Sequence, residues 1–245
     1  MEINDDDGTT TRNTRPTKKQ NTNQRKKNQS KEERCSRVMS WALRHAAIDL
    51  GLSMLSDGFV PVNEILHHKH AKLKGLTLEV IQTTVASNEK KRFSIKEDEA
   101  GVLHIRANQG HSIAGIDPNA LLTLIAPQEL AELTVVHGTY YDTWENHIRS
   151  QGLSKMKRNH IHFAAGLPQD DKTVISGMRK TCTIYIYLDG RKCSHDGIAF
   201  FRSDNRVILT AGVHDKGFLP PVYFSHVVSS KGELLLDNRV TTYQN

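Results

Sequence analysis

No Cys-x-x-Cys pair occurs in this 245-residue sequence, and its three cysteines, Cys35, Cys182 and Cys193, are odd in number and far apart. That spacing excludes a cysteine-built zinc site and a disulfide framework, and it suits a reduced intracellular compartment, nucleus or cytoplasm. No apolar run reaches the roughly 18 residues of a membrane span, so no membrane partner is expected. The opening residues, Met1-Glu2-Ile3-Asn4-Asp5-Asp6-Asp7, lack the apolar stretch of a secretory signal, and their acidity argues against a transit peptide. His67, His68 and His70 have no carboxylate or cysteine at ligand spacing, so no metal site is expected. A pair of catalytic carboxylates is missing as well.

What is present is ordinary globular material, with 37% apolar and 24% charged residues, and a formal charge of +6 with a pI near 9.2. The basic balance favours a polyanionic partner, nucleic acid first. Residues 1–30 are almost devoid of apolar side chains and carry Lys18-Lys19 and Arg25-Lys26-Lys27, which predicts a disordered basic tail. Ser30 caps a first helix with Glu32 and Glu33 in its first turn and Val38, Met39, Ala42 and Leu43 on the buried face; Arg44 and His45 close it. Asn63 is expected to cap a second helix through Leu66, and Thr77 a third carrying Leu78, Ile81 and Val85. Two strands follow, over 92–95 and 102–105. Three helices and a hairpin are the order of a winged helix, here over 31–112.

A linker is expected over 113–133. Beyond it, strands are read at 134–136, 160–163, 182–188, 199–201 and 206–209. A short helix with Trp144 and Ile148 ends at Gly152, and Val174 to Met178 reads as a helix end that reaches Arg179. A mostly β lobe over 134–228 and a partly ordered tail over 229–245 complete the reading.

Between the halves lies Arg106-Ala107-Asn108-Gln109-Gly110-His111-Ser112. Guanidinium can hold a phosphate through paired hydrogen bonds, and glycine lets backbone N–H groups approach an anion. Flanking it in order are Leu43-Arg44-His45 with Gly51-Leu52, Asp57-Gly58-Phe59, Lys91-Arg92-Phe93, Val136-His137-Gly138-Thr139, Asn159-His160-Ile161-His162, Ser176-Gly177-Met178-Arg179, and Asp196-Gly197 before Phe201-Arg202-Ser203. As an ordered set these motifs resemble the tRNA 2′-phosphotransferase family over roughly 33–228. Ala46 and Ala47 stand where many relatives have a proline, and Phe163-Ala164 where they have Leu-Ser.

The resemblance implies an α+β chain with an N-terminal winged-helix lobe for RNA and a C-terminal ADP-ribosyltransferase-like lobe for NAD. It implies transfer of the splice-junction 2′-phosphate of tRNA to NAD, giving 2′-OH RNA, nicotinamide and ADP-ribose 1″,2″-cyclic phosphate. Its Arg-His-Arg-Arg quartet is matched to Arg44, His45, Arg106 and Arg179. Asn108, Gly110 and His111 join Arg44, His45 and Arg106 on the RNA phosphate. His137, Gly138, Thr139, His160, His162 and Gly177 are assigned to NAD; alternation sends one of His160 and His162 into a pocket without saying which. A phosphate dianion is already a nucleophile and nicotinamide leaves neutral, so neither a general base nor a general acid is needed for the first step. The second step expels the RNA 2′-oxygen, for which a histidine is the natural proton donor. The expected partners are NAD and 2′-phosphorylated tRNA, and the expected state is a monomer. Two alternatives accompany this reading: NAD-dependent ADP-ribosylation of RNA ends or protein, and RNA binding without catalysis. Each residue also has a plainer role open to it: Arg44 as a partner of the helix dipole, Arg106 as half of a surface ion pair, His137 as a packed strand residue.

Overall fold

A computed structural model describes residues 30–167 and 176–239. The basic tail at 1–29 and Val174-Ile175 of the expected helix end lie outside the described residues. Ser176 to Met178 form bends, not a helix.

Helix α1, Lys31–Trp41, begins as expected: the Ser30 hydroxyl accepts from the Glu33 N–H at 3.1 Å. Cys35 and Met39 face inward, and the helix then widens into a π turn over Ala42–Ala46 that buries Ala42, Leu43 and Ala46. Strand β1 (Val60–Pro61) runs straight into α2 (Val62–Leu66). Asn63 is therefore inside α2 and does not cap it: Pro61, with φ −59°, holds the cap position without a side-chain bond. Thr77 does cap α3, Leu78–Ser87, accepting from Val80 N–H at 3.3 Å. Strands β2 (Phe93–Glu97) and β3 (Leu103–Ala107) form the hairpin, and the sheet order is β1-β3-β2, all antiparallel. One core, including Met39, Leu43, Ile65, Ile81 and Ile105, joins these helices to this sheet.

Most of the residues expected as a linker belong to the second body, while Ile113 is buried in the first core. Helix α4 (Pro118–Leu121) leads to β4 (Thr123–Leu124) and α5 (Pro127–Glu132). Leu121 and Leu122 pack with Val207 and Leu209, while Ile125 and Leu130 enter the larger core. Leu121, Leu122 and Ile125 are thus buried while Leu124 stays 59% exposed, and Pro127 starts a helix where its missing N–H costs nothing.

Next come β5 (Val136–Thr139) and α6, made of Tyr141–Thr143, a π turn Trp144–Ile148 and Arg149–Gln151. Gly152 ends α6 with φ +92°. The remaining elements are β6 (Leu153–Ser154), β7 (Ile161–Phe163), β8 (Ile184–Leu188), α7 (Gly190–His195), β9 (Phe201–Arg202), β10 (Ile208–Thr210), β11 (Phe218–Leu219), β12 (Phe224–Ser229) and β13 (Leu234–Asp237). Asp189, directly after β8, caps α7 by accepting from Lys192 N–H at 2.9 Å. The last strand lies within the segment expected as a tail and pairs with β12.

Two four-stranded antiparallel sheets, β4-β9-β10-β7 and β13-β12-β8-β5, are bridged where Val136 meets Ala164, and a β11-β6 pair stands beside them. The fold class is mixed α+β with antiparallel sheets. Among the described residues no helix is long and apolar enough to cross a membrane.

Backbone-anchored bonds join the two bodies. Asn159 N–H donates to His111 O at 2.8 Å and its side chain to Ile113 O at 3.0 Å. Asn205 donates to Lys90 O at 2.9 Å, and Lys90 Nζ to Met178 O at 3.4 Å. These bonds fix a cleft between β7 and the loop after β3.

Candidate anion-binding active site

The π turn delivers Arg44 and His45 together. π turns of this kind recur at functional sites, because the extra residue redirects side chains. Ser112 clips both residues: its N–H donates to Arg44 O at 2.9 Å, and its Oγ is hydrogen-bonded to His45 Nδ1 at 2.9 Å. Gly110 (φ +89°) lies under Arg44, since a Cβ there would sit 3.5 Å from Arg44 Cδ, Nε and Cζ. Only glycine combines that backbone with that approach.

Arg44 is unusual in what it lacks. Its Nε and Nη2 are buried with no hydrogen-bond partner. Burial first, then the positive charges of Arg158 and Arg92, pull its pKa from 12.5 to about 10. Arg158 is itself lowered, by burial and by Arg179, and Arg92 by burial. Among the described residues none of Arg44, Arg92, Arg158 and Arg179 has a carboxylate partner. Four guanidinium groups from four separate segments therefore form a chain of like charge with no internal counter-ion.

Of the matched quartet, Arg44, His45 and Arg179 reach this cluster, and Arg106 lies beside it, its charge acting with those of Arg44 and His45 on His111. Its Nη2 donates to Asp204 Oδ2 at 2.6 Å and its Nη1 to Asp57 O at 3.2 Å, over the Phe59 ring at 4.7 Å. Arg106 thus clasps the hairpin to the Asp204 turn through its two terminal nitrogens, while its Nε, like that of Arg44, is buried without a partner. Arg92 stood in the Lys91-Arg92-Phe93 motif without a role, and Arg158 lay just outside the Asn159-to-His162 motif; the absence of any carboxylate beside them is visible only in three dimensions. Asn108 is likewise occupied. Its amide donates to Lys91 O at 2.9 Å and accepts from Ser94 Oγ at 2.8 Å, while its N–H donates to Arg92 O at 2.9 Å. Through these bonds it positions Arg92.

His111 and His162 line a narrow cleft together with Gln109, Asn159, His160 and Leu209. Both histidines are buried, and the Nε2 of each has no partner. Burial, followed by Arg44 and His45, lowers His111 to about 3. Burial and Arg158 hold His162 well below the ordinary range. His162 Nδ1–H donates to His160 O at 2.9 Å, so Nε2 is the free acceptor. The alternation at β7 thus resolves without a choice: His162 is buried, His160 is half-buried with its ring 6.1 Å from Phe201, and both face the cleft. His45 is lowered by burial, then by Arg44 and Arg158, and is neutral at pH 7.

His137 Nδ1–H donates to His162 O at 2.9 Å, which fixes the ring and leaves Nε2 as acceptor. Gly138 lets the 178–182 segment close on β5: a Cβ there would meet Cys182 Sγ at 2.9 Å and Met178 Cβ at 3.0 Å. Thr139 is buried. Beyond it the Tyr140 hydroxyl bonds Thr181 Oγ1 at 2.8 Å and also meets Arg179. Gly177, at φ +103°, is pressed against β7; a Cβ would lie 2.6 Å from Phe163 O and 2.7 Å from Ala164 Cα. Gly177→Ala is expected to destabilise the fold by about 3 kcal/mol, through left-handed strain and overpacking against backbone. A urea titration checks this; an unchanged midpoint would remove Gly177 from the list of close-approach positions.

Comparison with known proteins bears on this arrangement directly. The family model described as RNA 2'-phosphotransferase, Tpt1 / KptA family matches residues 30–212. The chain belongs to that family. It is therefore an enzyme of the phosphotransferase type. It is similar to a putative tRNA 2'-phosphotransferase of Schizosaccharomyces pombe, 46% identical over 211 residues that cover 86% of this chain and 55% of the relative. It is also similar to tRNA 2'-phosphotransferase 1 of Danio rerio, 44% identical with 80% and 85% covered, and of Homo sapiens, 43% identical with 83% and 78% covered. The chain thus spans about half the length of the fission-yeast relative but most of the vertebrate ones.

Proposed function

We propose that the cleft removes the 2′-phosphate at a splice junction of tRNA and passes it to NAD, leaving a 2′-hydroxyl. The single observation that carries this reading is the uncompensated run Arg92, Arg44, Arg158, Arg179. Burying and crowding cations costs stability, and a bound anion repays it. A phosphomonoester at one end and a pyrophosphate at the other match that charge in sign and spread.

In this reading the body containing β1–β3 is a winged-helix lobe holding RNA, and the body of 113–239 is an ADP-ribosyltransferase-like lobe holding NAD. Arg44, Arg92 and Arg158 surround the RNA 2′-phosphate. Arg158 and Arg179 face the NAD pyrophosphate, and His137, Gly138 and Thr139 its ribose and nicotinamide end. The residues fit such a group, because His137 and His162 each keep Nε2 as an acceptor and Arg44, close enough to lower His162, keeps two buried nitrogens without a partner. NAD supplies an electrophilic ribose carbon with a neutral leaving group and a neighbouring hydroxyl. The chain's own part is placement and charge stabilisation: guanidinium groups hold the phosphoryl oxygens in line. His45, steered by Ser112, is the proton carrier to the departing RNA oxygen. It is neutral in the free protein, and a phosphate dianion beside it raises its pKa so that it arrives protonated.

Incubation with NAD and an RNA carrying an internal 2′-phosphate tests the reading. The expected products are 2′-OH RNA, nicotinamide and ADP-ribose 1″,2″-cyclic phosphate. Arg92→Ala and Arg158→Ala should each lower the rate about 10²–10³-fold, as loss of a charge-stabilising donor does, with the fold intact by circular dichroism. No phosphate loss and no nicotinamide release would end the reading. A lasting ADP-ribose mark on RNA would put ADP-ribosylation in its place.

A further inference from the structure

We propose that the loop 67–74 is a docking surface for the phosphodiester backbone of the RNA substrate, outside the reacting cleft. The inference rests on the RNA reading above and adds a contact region to it. From Ile65 to Leu78 the sequence has no acidic residue, and Lys69, Lys72 and Lys74 are all exposed. Among the described residues none of these lysines has a carboxylate partner. Charge without counter-ion is also what the cleft shows, so the two places share one electrostatic character.

The loop is built to hold its shape. Leu73 is buried beneath it. Arg34 Nη2 donates to Lys72 O at 3.4 Å and Lys74 O at 3.2 Å, so the loop's carbonyls are engaged from behind. The histidines that looked like metal ligands are structural. His68 Nδ1 accepts from His70 N–H at 3.0 Å, which places the ring proton on Nε2, and that N–H donates to Leu50 O at 2.9 Å. His70 Nδ1 accepts from Lys72 N–H at 3.2 Å. With both rings used to fix the backbone, the ammonium groups are what the loop offers outward.

Its position relative to the cleft is set by Trp41. The ring of Trp41 meets His70 at 5.1 Å and carries Lys72 Nζ 4.0 Å above it. Trp41 is the last residue of α1 and immediately precedes the π turn that carries Arg44 and His45. A strand whose 2′-phosphate reaches Arg44 and His45 therefore passes Trp41 and Lys72 within the next nucleotides. Three exposed ammonium groups on an ordered loop suit successive phosphates, and they carry no base selectivity.

The test uses the full chain and the variant K69Q/K72Q/K74Q. All three side chains are exposed, and glutamine keeps much of the stem. Binding of an unmodified tRNA is measured against salt. The expected slope of log K on log salt is shallower by about 2–3, at about 0.7–0.9 per lost phosphate contact, with affinity reduced at least about tenfold near 0.1 M salt. A trinucleotide with an internal 2′-phosphate, too short to reach the loop, should be turned over at an unchanged rate. Unaltered tRNA affinity and slope would overturn the inference and leave the lysines to another anionic partner. Equal losses on tRNA and trinucleotide would overturn it too, by placing the lysines in the cleft. If the unsubstituted chain binds tRNA but releases no nicotinamide, the catalytic reading fails, and the binding comparison still decides the docking surface.

Discussion

Arg44→Met is expected to abolish phosphate transfer while raising the melting temperature. The two effects have one cause. Arg44 is held in a partly buried place with two guanidinium nitrogens unpartnered, beside Arg158 and Arg92. Its pKa of about 10, down from 12.5, means the folded state opposes its charge. Discounted for partial solvent contact, that opposition is worth about 2 kcal/mol at neutral pH. Methionine fills much of the space, needs no partner and is uncharged. Without the guanidinium the phosphate loses a fixed donor at the position where charge grows, an effect of about 10³-fold or more on rate. Calorimetry and the nicotinamide-release assay read the two sides. A lower melting temperature, or a rate within tenfold of the parent, would show that Arg44 is a structural residue with an unseen partner. Arg44→Lys separates charge from fork geometry: it keeps the repulsion, so stability should not rise, and it loses the paired donors, so activity should still fall.

Acid is expected to unfold the chain earlier than its carboxylates alone dictate, and His111→Gln to postpone this. His111 is buried and lowered to about 3, against about 6.5 in an unfolded chain. Between those values the unfolded state binds a proton that the folded state refuses, so stability falls as pH falls. Above about 6.5 neither state is protonated and the group contributes nothing to the slope. Each pH unit inside the window costs up to about 1.4 kcal/mol for one such histidine, and His162, shifted the same way by burial, adds to it. Ordinary carboxylates titrate near 4 and below, so a comparison at pH 7 and pH 5 isolates the histidines. Urea midpoints should fall steeply between the two for the parent and by about 1–2 kcal/mol less for His111→Gln. Equal losses in both proteins would mean that water reaches the His111 ring.

Much of the fold could be read from the chain because its signals are local. Ser30 with Glu33, Thr77 with Val80, and Gly152 after α6 are each decided within a few residues. The two-residue strands β4, β6 and β11 escaped that kind of reading, since each exists only through a partner far along the chain, as Thr123 with Arg202. Asp189 shows a different difficulty: the same side chain that closes a turn also opens a helix, and the apolar residues that settle it, around α5, come from elsewhere.

In the site, Arg44, His45, Gly110 and Ser112 were visible because their order along the chain reflects their contact. Arg106 and Arg92 were not separable by sequence. Both are arginines at one end of a hairpin strand, and what divides them is Asp204, nearly a hundred positions away. A motif reports that an arginine is present, but not whether its charge has already been answered.

The π turn at Ala42–Ala46 has a bearing on how this protein can vary. An α-helix rotates about 100° per residue, so the surplus residue sets the direction in which Arg44 and His45 emerge. Removing one position between Trp41 and Ala47 would restore regular bonding and swing both groups away from Ser112 and Gly110. Along this segment, side chains are open to exchange while the residue count is not.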